Sequence, residues 1–258
     1  PFQKLFNQGM ILAFSYRDGL GKYHHPSEVE KRDDRFFLIG RDTEVFSQVE
    51  KMSKSKMNTV DPLDIVDEFG ADTLRMYELF MGPLEQVKPW QTAGCKGIRN
   101  FLNKVWRLFI GEDGEMRPFG KPREDVTRAL HIAIKETTEG IESLKFNTPI
   151  SKMMEFVNSC RNIMPTKDEV SAFVRILAPY APHIAEELWE KIGNTETLTY
   201  SDWPVWNEKA LVKQVINIAV QVSGKMRASI EFPLDASKEE ILNTVKQHPK
   251  IAPRLEGM

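Results

Sequence analysis

Apolar residues recur at helical spacing through the second half of the chain. The first stripe is Ile98, Phe101, Leu102, Val105 and Phe109. The second is Val126, Leu130, Ala133, Ile134, Thr137, Ile141 and Leu144, and the third Ile150, Met153, Met154, Val157, Cys160 and Met164, with Asn147 and Pro149 marking its start. A fourth stripe, Val170, Phe173, Val174 and Leu177, runs into Pro179 and Pro182. Proline has no amide hydrogen to continue the helical ladder, so these two separate the fourth helix from a short last one carrying Ile184, Leu188 and Ile192. Amphipathic helices in succession on short links predict a bundle.

Upstream the pattern is mixed. A polar stretch from Arg17 to Arg35 precedes the short apolar run Phe36, Phe37, Leu38, Ile39, which reads as a hairpin-bearing insert. After Met57, Asp61 is an N-cap candidate with Pro62 at the first helical position, and Gly70 is the stop. Ala71 to Met81 is apolar on several sides and is expected to be buried before Gly82 and Pro83 end it. At the far end, from about Lys213, Val215, Ile216, Ile218, Val220 and Val222 are strand-like, and Ser223 with Gly224 offers a turn into a second strand, Met226 to Phe232. Ser237 followed by Glu240 is a capping box for a final helix through Val245. Two strands and one helix make a marginal unit, so this module is expected to be incomplete.

Composition narrows the function classes. The chain has 258 residues, 41% hydrophobic and 28% charged, with 35 basic against 37 acidic side chains, which excludes a histone-like polycation and a disordered tail. No apolar run approaches the roughly 18–20 residues of a membrane-spanning helix. Cys95 and Cys160, far apart and outside any CxxC pattern, argue against a disulfide framework or a zinc ribbon and suit a reducing cytosol, and the five histidines supply no HExxH pair. The chain opens at Pro1 without a leader and reads as part of something longer.

The densest chemistry lies in Lys51, Met52, Ser53, Lys54 and Ser55, followed by Lys56. Over a nucleoside triphosphate, the ammonium groups of such a loop meet the β and γ phosphates, while hydroxyls and backbone amides donate further hydrogen bonds. When a carboxylate attacks the α phosphate, pyrophosphate departs with added negative charge. A lysine placed for that state, with Lys54 the candidate, lowers the barrier more than it strengthens ground-state binding. Taken alone, such a lysine cluster reads more readily as a solvated basic segment.

Context decides between the two. The string KMSKS matches the second signature of the class I aminoacyl-tRNA synthetases, and Gly70, Ala71, Asp72, Thr73, Leu74 and Arg75 resemble the stem-contact segment that follows it. Met76 to Gln91, the helix from Gly94 to Phe109, Leu177 to Glu190 (LAPYAPHIAEELWE) and Ile218 to Ala228 (IAVQVSGKMRA) are similar to the bacterial-type leucyl-tRNA synthetase family, the last discriminating best against the isoleucine, valine and methionine enzymes. The resemblance covers nearly the whole chain. It implies a mainly α fold: the end of a Rossmann-type catalytic domain with a short β insert (residues 1–93, insert about 15–50), an antiparallel anticodon-binding helix bundle (94–208), and a truncated α/β C-terminal module (209–258). It also implies ATP with Mg2+ bound at Lys51, Met52, Ser53, Lys54 and Ser55, tRNA(Leu) and leucine as partners, a monomer, and a cytoplasmic location.

The departures set limits. The family's other signature, HIGH, is absent; His24 and His25 are followed by Pro26 and do not supply it. The sheet, the leucine pocket and the editing domain of the family lie upstream of this segment, so the chain alone is not expected to activate leucine. A noncatalytic tRNA-binding fragment, or a subunit of a split enzyme, stays open as an alternative, as does another synthetase of the class.

RNA contact is the second theme. Lys96, Arg99, Asn100, Asn103 and Arg107 share a helix face opposite the apolar stripe, and Lys225 and Arg227 flank the turn at Ser223 and Gly224; both sets are candidates for tRNA phosphates. A basic helix face that is merely solvated is the competing reading for the first set. Trp90, Trp106, Trp189 and Trp203 are expected in core packing rather than base stacking, as are Met153 and Met154, and His131 and His183 are expected to be structural.

Overall fold

The computed structural model describes residues 3, 5–212, 215–222, 224–233 and 236–255, in two compact units, Pro1–Trp206 and Asn207–Met258. The first unit opens with a sheet in the order β2-β1-β5-β4-β3, formed by β1 (Ile11–Asp18), β2 (Tyr23–His24), β3 (Val29–Arg32), β4 (Arg35–Leu38) and β5 (Glu44–Lys51), every neighbouring pair antiparallel. A two-residue strand, β6 (Lys88–Pro89), runs parallel to the start of β1. The expected hairpin is β3 and β4, turned at Asp33 with φ 53°. β4 also pairs onward with β5, and β5 is the strand that ends at Lys51. The sheet therefore presents the lysine-rich loop at a fixed point, with Lys51 opposite Leu12 of β1.

Helices follow as the apolar stripes predict. α1 (Pro62–Phe69) starts on Asp61, whose carboxylate accepts from the Leu63 amide at 2.9 Å, and ends at Gly70. Gly70 adopts φ +88°, a conformation that side-chain-bearing residues avoid, and this lets α2 (Ala71–Phe80) begin at once in a new direction. The long helices α3 (Thr92–Phe109), α4 (Glu124–Glu142) and α5 (Asn147–Cys160) are followed by α6 (Lys167–Leu177) and α7 (Pro182–Lys191). The stripes of α4 and α5 outrun their helices, since Leu144 (φ 58°) and Arg161 (φ 51°) turn left-handed and end them. The last carbonyls of α5 are not left bare: Arg123 donates to Cys160 O at 3.0 Å and Ser159 O at 3.1 Å.

The bundle core is continuous. Met76, Val105, Phe109, Ile150, Phe156, Phe173, Leu177 and Leu188 are fully buried, with the Phe156 and Phe173 rings stacked at 4.8 Å. Truncating one such phenylalanine to alanine costs about 3–5 kcal/mol, because transfer energy is lost and a cavity is left. Both cysteines lie in this core as free thiols, and burial pushes Cys160 up to about 12. Trp90 and Trp189 are buried and Trp106 packs against the core from a half-buried position. Trp203 departs from expectation at 38% exposure; its indole is held at the surface by donating to Thr138 Oγ1 at 2.8 Å.

The second unit contains α8 (Glu208–Leu211), the antiparallel pair β7 (Val215–Val222) and β8 (Lys225–Pro233), α9 (Lys238–Gln247) and α10 (Ala252–Leu255). Ser237 and Glu240 form the capping box anticipated for α9. Lys213 and Ser223, where the sequence suggested the start of the strands and part of their turn, lie outside the described residues.

Candidate functional site

The loop after β5 is built by its own short-range bonds. Ser53 to Lys56 make one tight helical turn, with the Lys56 amide donating to Ser53 O at 3.1 Å and the Met57 amide to Lys54 O at 3.2 Å. Met57 takes φ 53°, and this left-handed residue reverses the chain toward α1. The hydroxyls of Ser53 and Ser55 are 2.8 Å apart, so the two serines face each other across the turn.

Two residues outside the KMSKS string hold that turn. Asn58 is 2% exposed; its Oδ1 accepts from the Ser53 amide at 2.8 Å and its Nδ2 donates to Lys51 O at 3.5 Å. Glu50, the last residue before the string, pairs with Lys56 and also accepts from Ser15 Oγ at 2.5 Å and Gln48 Nε2 at 2.9 Å. These donors, Lys56 first, pull the Glu50 carboxyl down to about 2. Lys51 and Lys54, in contrast, are exposed, and among the described residues neither ammonium has an ion-pair partner. Sequence reasoning treated Lys56 as part of the cationic run and overlooked Asn58 and Glu50. The signal that could have found Asn58 is an amide side chain just beyond a turn, a residue type that bonds readily to nearby backbone.

The loop therefore presents two exposed cationic side chains, Lys51 and Lys54. A cleft of about 480 Å³ lies beside the loop's exit, lined by Tyr16, His25, Asn58, Asp61, Asp64 and Trp90 among others. That lining holds two aspartates and no lysine or arginine, so the cleft itself does not favour an anion. Among the described residues, no group of three or more histidine, cysteine or acidic side chains is arranged to hold a metal ion, and no helix is long and apolar enough to cross a membrane.

The histidines have local tasks. His24 is buried on β2 with Nε2 2.8 Å from Asp18 Oδ2, and this contact is the main cause lowering the Asp18 carboxyl. His25 caps the short turn Pro26–Glu28, its Nδ1 accepting from the Ser27 amide at 3.3 Å. His183 starts α7 beside Asp72, Nδ1 to Oδ1 at 2.8 Å.

The basic face of α3 divides when its contacts are followed. Lys96, Arg99 and Arg107 are all exposed. Arg99 nevertheless donates to Phe69 O at 3.1 Å, completing the C-terminus of α1, and so already has a structural duty. Lys96 and Arg107 have no such side-chain bond among the described residues. In the second unit Lys225 is exposed at the start of β8, whereas Arg227 is half-buried with Nε enclosed and unbonded. The two residues thus do not present equivalent charges.

Residues 45–88, which run from β5 through the loop, α1 and α2 to β6, match the family described as tRNA synthetases class I (I, L, M and V). Residues 124–242 match the anticodon-binding domain of tRNA ligase. The chain is 44% identical to leucine–tRNA ligase 1 of Rhizobium johnstonii over 261 aligned residues, covering 100% of this chain and 31% of that protein. Its fold matches the Agrobacterium radiobacter K84 AgnB2 LeuRS in a ternary complex with tRNA and LeuAMS, with a TM-score of 0.61 and 29% identity, covering 99% of this chain and 31% of the other. The chain thus spans about a third of the length of the relatives it matches. In sequence and fold it belongs with the class I leucyl-tRNA synthetases and corresponds to their C-terminal portion.

Proposed function

We propose that this chain provides the KMSKS loop for ATP-dependent leucine activation and the helical surfaces that bind tRNA(Leu) in a leucine–tRNA ligase. The observation that carries the reading is the loop itself: Lys51, at the end of β5, and Lys54, on a turn held by its own backbone bonds, are exposed and have no ion-pair partner among the described residues. In that arrangement Lys51, Ser53 and Ser55, with the loop amides around Met52, would hold the phosphates of ATP. Lys54 would meet the charge that grows on departing pyrophosphate. Magnesium would arrive with the nucleotide. The exposed α3 residues Lys96 and Arg107 would meet tRNA phosphates, with Arg99 adding charge while anchored, and Lys225 and Arg227 would do so from the second unit. The functional division into a catalytic-domain end, a tRNA-binding bundle and a C-terminal module, the monomeric state and the cytoplasmic location belong to the same proposal.

The test combines this chain with a separately produced HIGH-bearing N-terminal portion of a leucine enzyme. Leucine-dependent pyrophosphate exchange into ATP is expected from the mixture and not from the isolated chain. Lys54→Ala should lower the exchange rate by about two to three orders of magnitude, the scale of one lost transition-state donor, with a much smaller change in the ATP concentration needed. Undiminished exchange with Lys54→Ala would overturn the assignment.

A further inference from the structure

The three lysines of the loop are not equivalent, and the residues that make them unequal lie on either side of the string. We propose that Glu50 and Asn58 are positioning residues of the loop: Glu50 commits Lys56 to the protein, and Asn58 clips the turn so that Lys51 and Lys54 alone are presented to a polyphosphate. The inference rests on the nucleotide reading above and deepens it.

Asn58 is the clip by geometry. Its buried amide group touches both limbs of the loop, accepting from the Ser53 amide at 2.8 Å and donating to Lys51 O at 3.5 Å. A side chain that bonds both limbs fixes the spacing between the backbone bearing Lys51 and the turn bearing Lys54. It lowers the ordering cost of binding a ligand that both must reach. An aspartate there would keep the acceptor for Ser53 and lose the donor for Lys51; an alanine would lose both.

Glu50 works by subtraction. Its carboxylate is fixed by Ser15 from β1 and Gln48 from β5 before it meets Lys56, so the ion pair is tied to the sheet. The depressed Glu50 carboxyl is consistent with a carboxylate that stays charged wherever ATP chemistry runs. Lys56, one residue past the string, then neutralises Glu50 rather than the ligand. The end of β5 is left without an uncompensated carboxylate that would repel phosphate.

The experiment uses this chain, with inorganic tripolyphosphate as probe and amide hydrogen exchange as an independent readout. Asn58→Ala should speed exchange of the Ser53 amide by about tenfold, the consequence of one lost backbone bond, and Asn58→Asp should restore its protection. A Ser53 amide that exchanges equally fast in the wild-type and Asn58→Ala chains would overturn the clip, whatever the chain binds. Lys54→Met should weaken tripolyphosphate binding by about fivefold or more and Lys56→Met by less than about twofold. Equal losses from the two would overturn the division of labour. Asn58→Ala should weaken binding in the wild-type background but add little on top of Lys54→Met, a non-additivity that general destabilisation would not produce. Full additivity would reduce Asn58 to a structural residue. If the unmodified chain binds no tripolyphosphate, the nucleotide reading fails, and the exchange measurement still decides the clip.

Discussion

Asp72 caps a helix that begins 110 residues further along the chain. Its Oδ1 accepts from the His183 amide at 3.2 Å and from His183 Nδ1 at 2.8 Å, and its Oδ2 accepts from the Ile184 amide at 2.8 Å. The residue preceding α7, Ala181, has no side chain able to cap, so a carboxylate on α2 serves the exposed amides and meets the positive end of the helix dipole. α2 and α7 are thereby joined by a polar bond as well as by apolar packing.

Asp72→Ala should therefore cost about 1–2 kcal/mol in urea denaturation, as two helix N-terminal amides lose the carboxylate that caps them. Asp72→Asn, which retains one carbonyl oxygen, should cost less. His183→Ala should stay within about 0.5 kcal/mol, because that side chain is mostly exposed. A wild-type midpoint for Asp72→Ala would remove this contact from the list of those holding α7.

The basic face of α3 should separate into two behaviours. Arg99→Ala is expected to destabilise the fold by about 0.5–1.5 kcal/mol through the lost bond to Phe69 O. Lys96→Ala and Arg107→Ala should leave stability within about 0.5 kcal/mol while lowering the salt dependence of tRNA binding by about one unit of slope each. Thermal melts and binding titrations over a salt series measure the two effects; an unchanged slope would assign this face to solvent.

The loop should loosen in acid. The folded Glu50 carboxyl is lowered from 4.5 to about 2, so its contribution is complete above about pH 4.5 and is lost as pH falls toward about 2. Its facing groups are Lys56, Ser15 and Gln48, of which only Lys56 is charged. The Glu50 side-chain carboxyl resonance followed by NMR should titrate well below an exposed glutamate, and in Lys56→Met it should move back upward. An ordinary midpoint in the wild-type chain would contradict the pairing.

Met57 is half-exposed and carries a side chain in a left-handed conformation. Such a residue costs roughly 1–2 kcal/mol, while glycine adds roughly 0.5–1 kcal/mol of unfolded-state entropy. Met57→Gly should therefore raise stability by up to about 1 kcal/mol in denaturant titration. A loss of comparable size would mean that the Met57 side chain packs more usefully than its exposure suggests.

Much of this architecture was legible from the sequence because it depends on neighbours in the chain. The stripe from Ile98 to Phe109, the cap at Asp61, the stop at Gly70, the breaks at Pro179 and Pro182 and the box at Ser237 and Glu240 each follow from periodicity or from bonds spanning a few residues. The KMSKS string is legible for the same reason, its chemistry being contained in consecutive residues. The sheet was underestimated: β1 and β5 lie some 30 residues apart, and neither announces its partner. Only the folded chain decided that Asp72 would cap α7, that Arg99 would close α1, and that Glu50 would remove Lys56 from the free cations. Local sequence sets backbone preference over one or two turns, whereas a polar side chain's partner depends on which distant backbone groups folding leaves unbonded beside it.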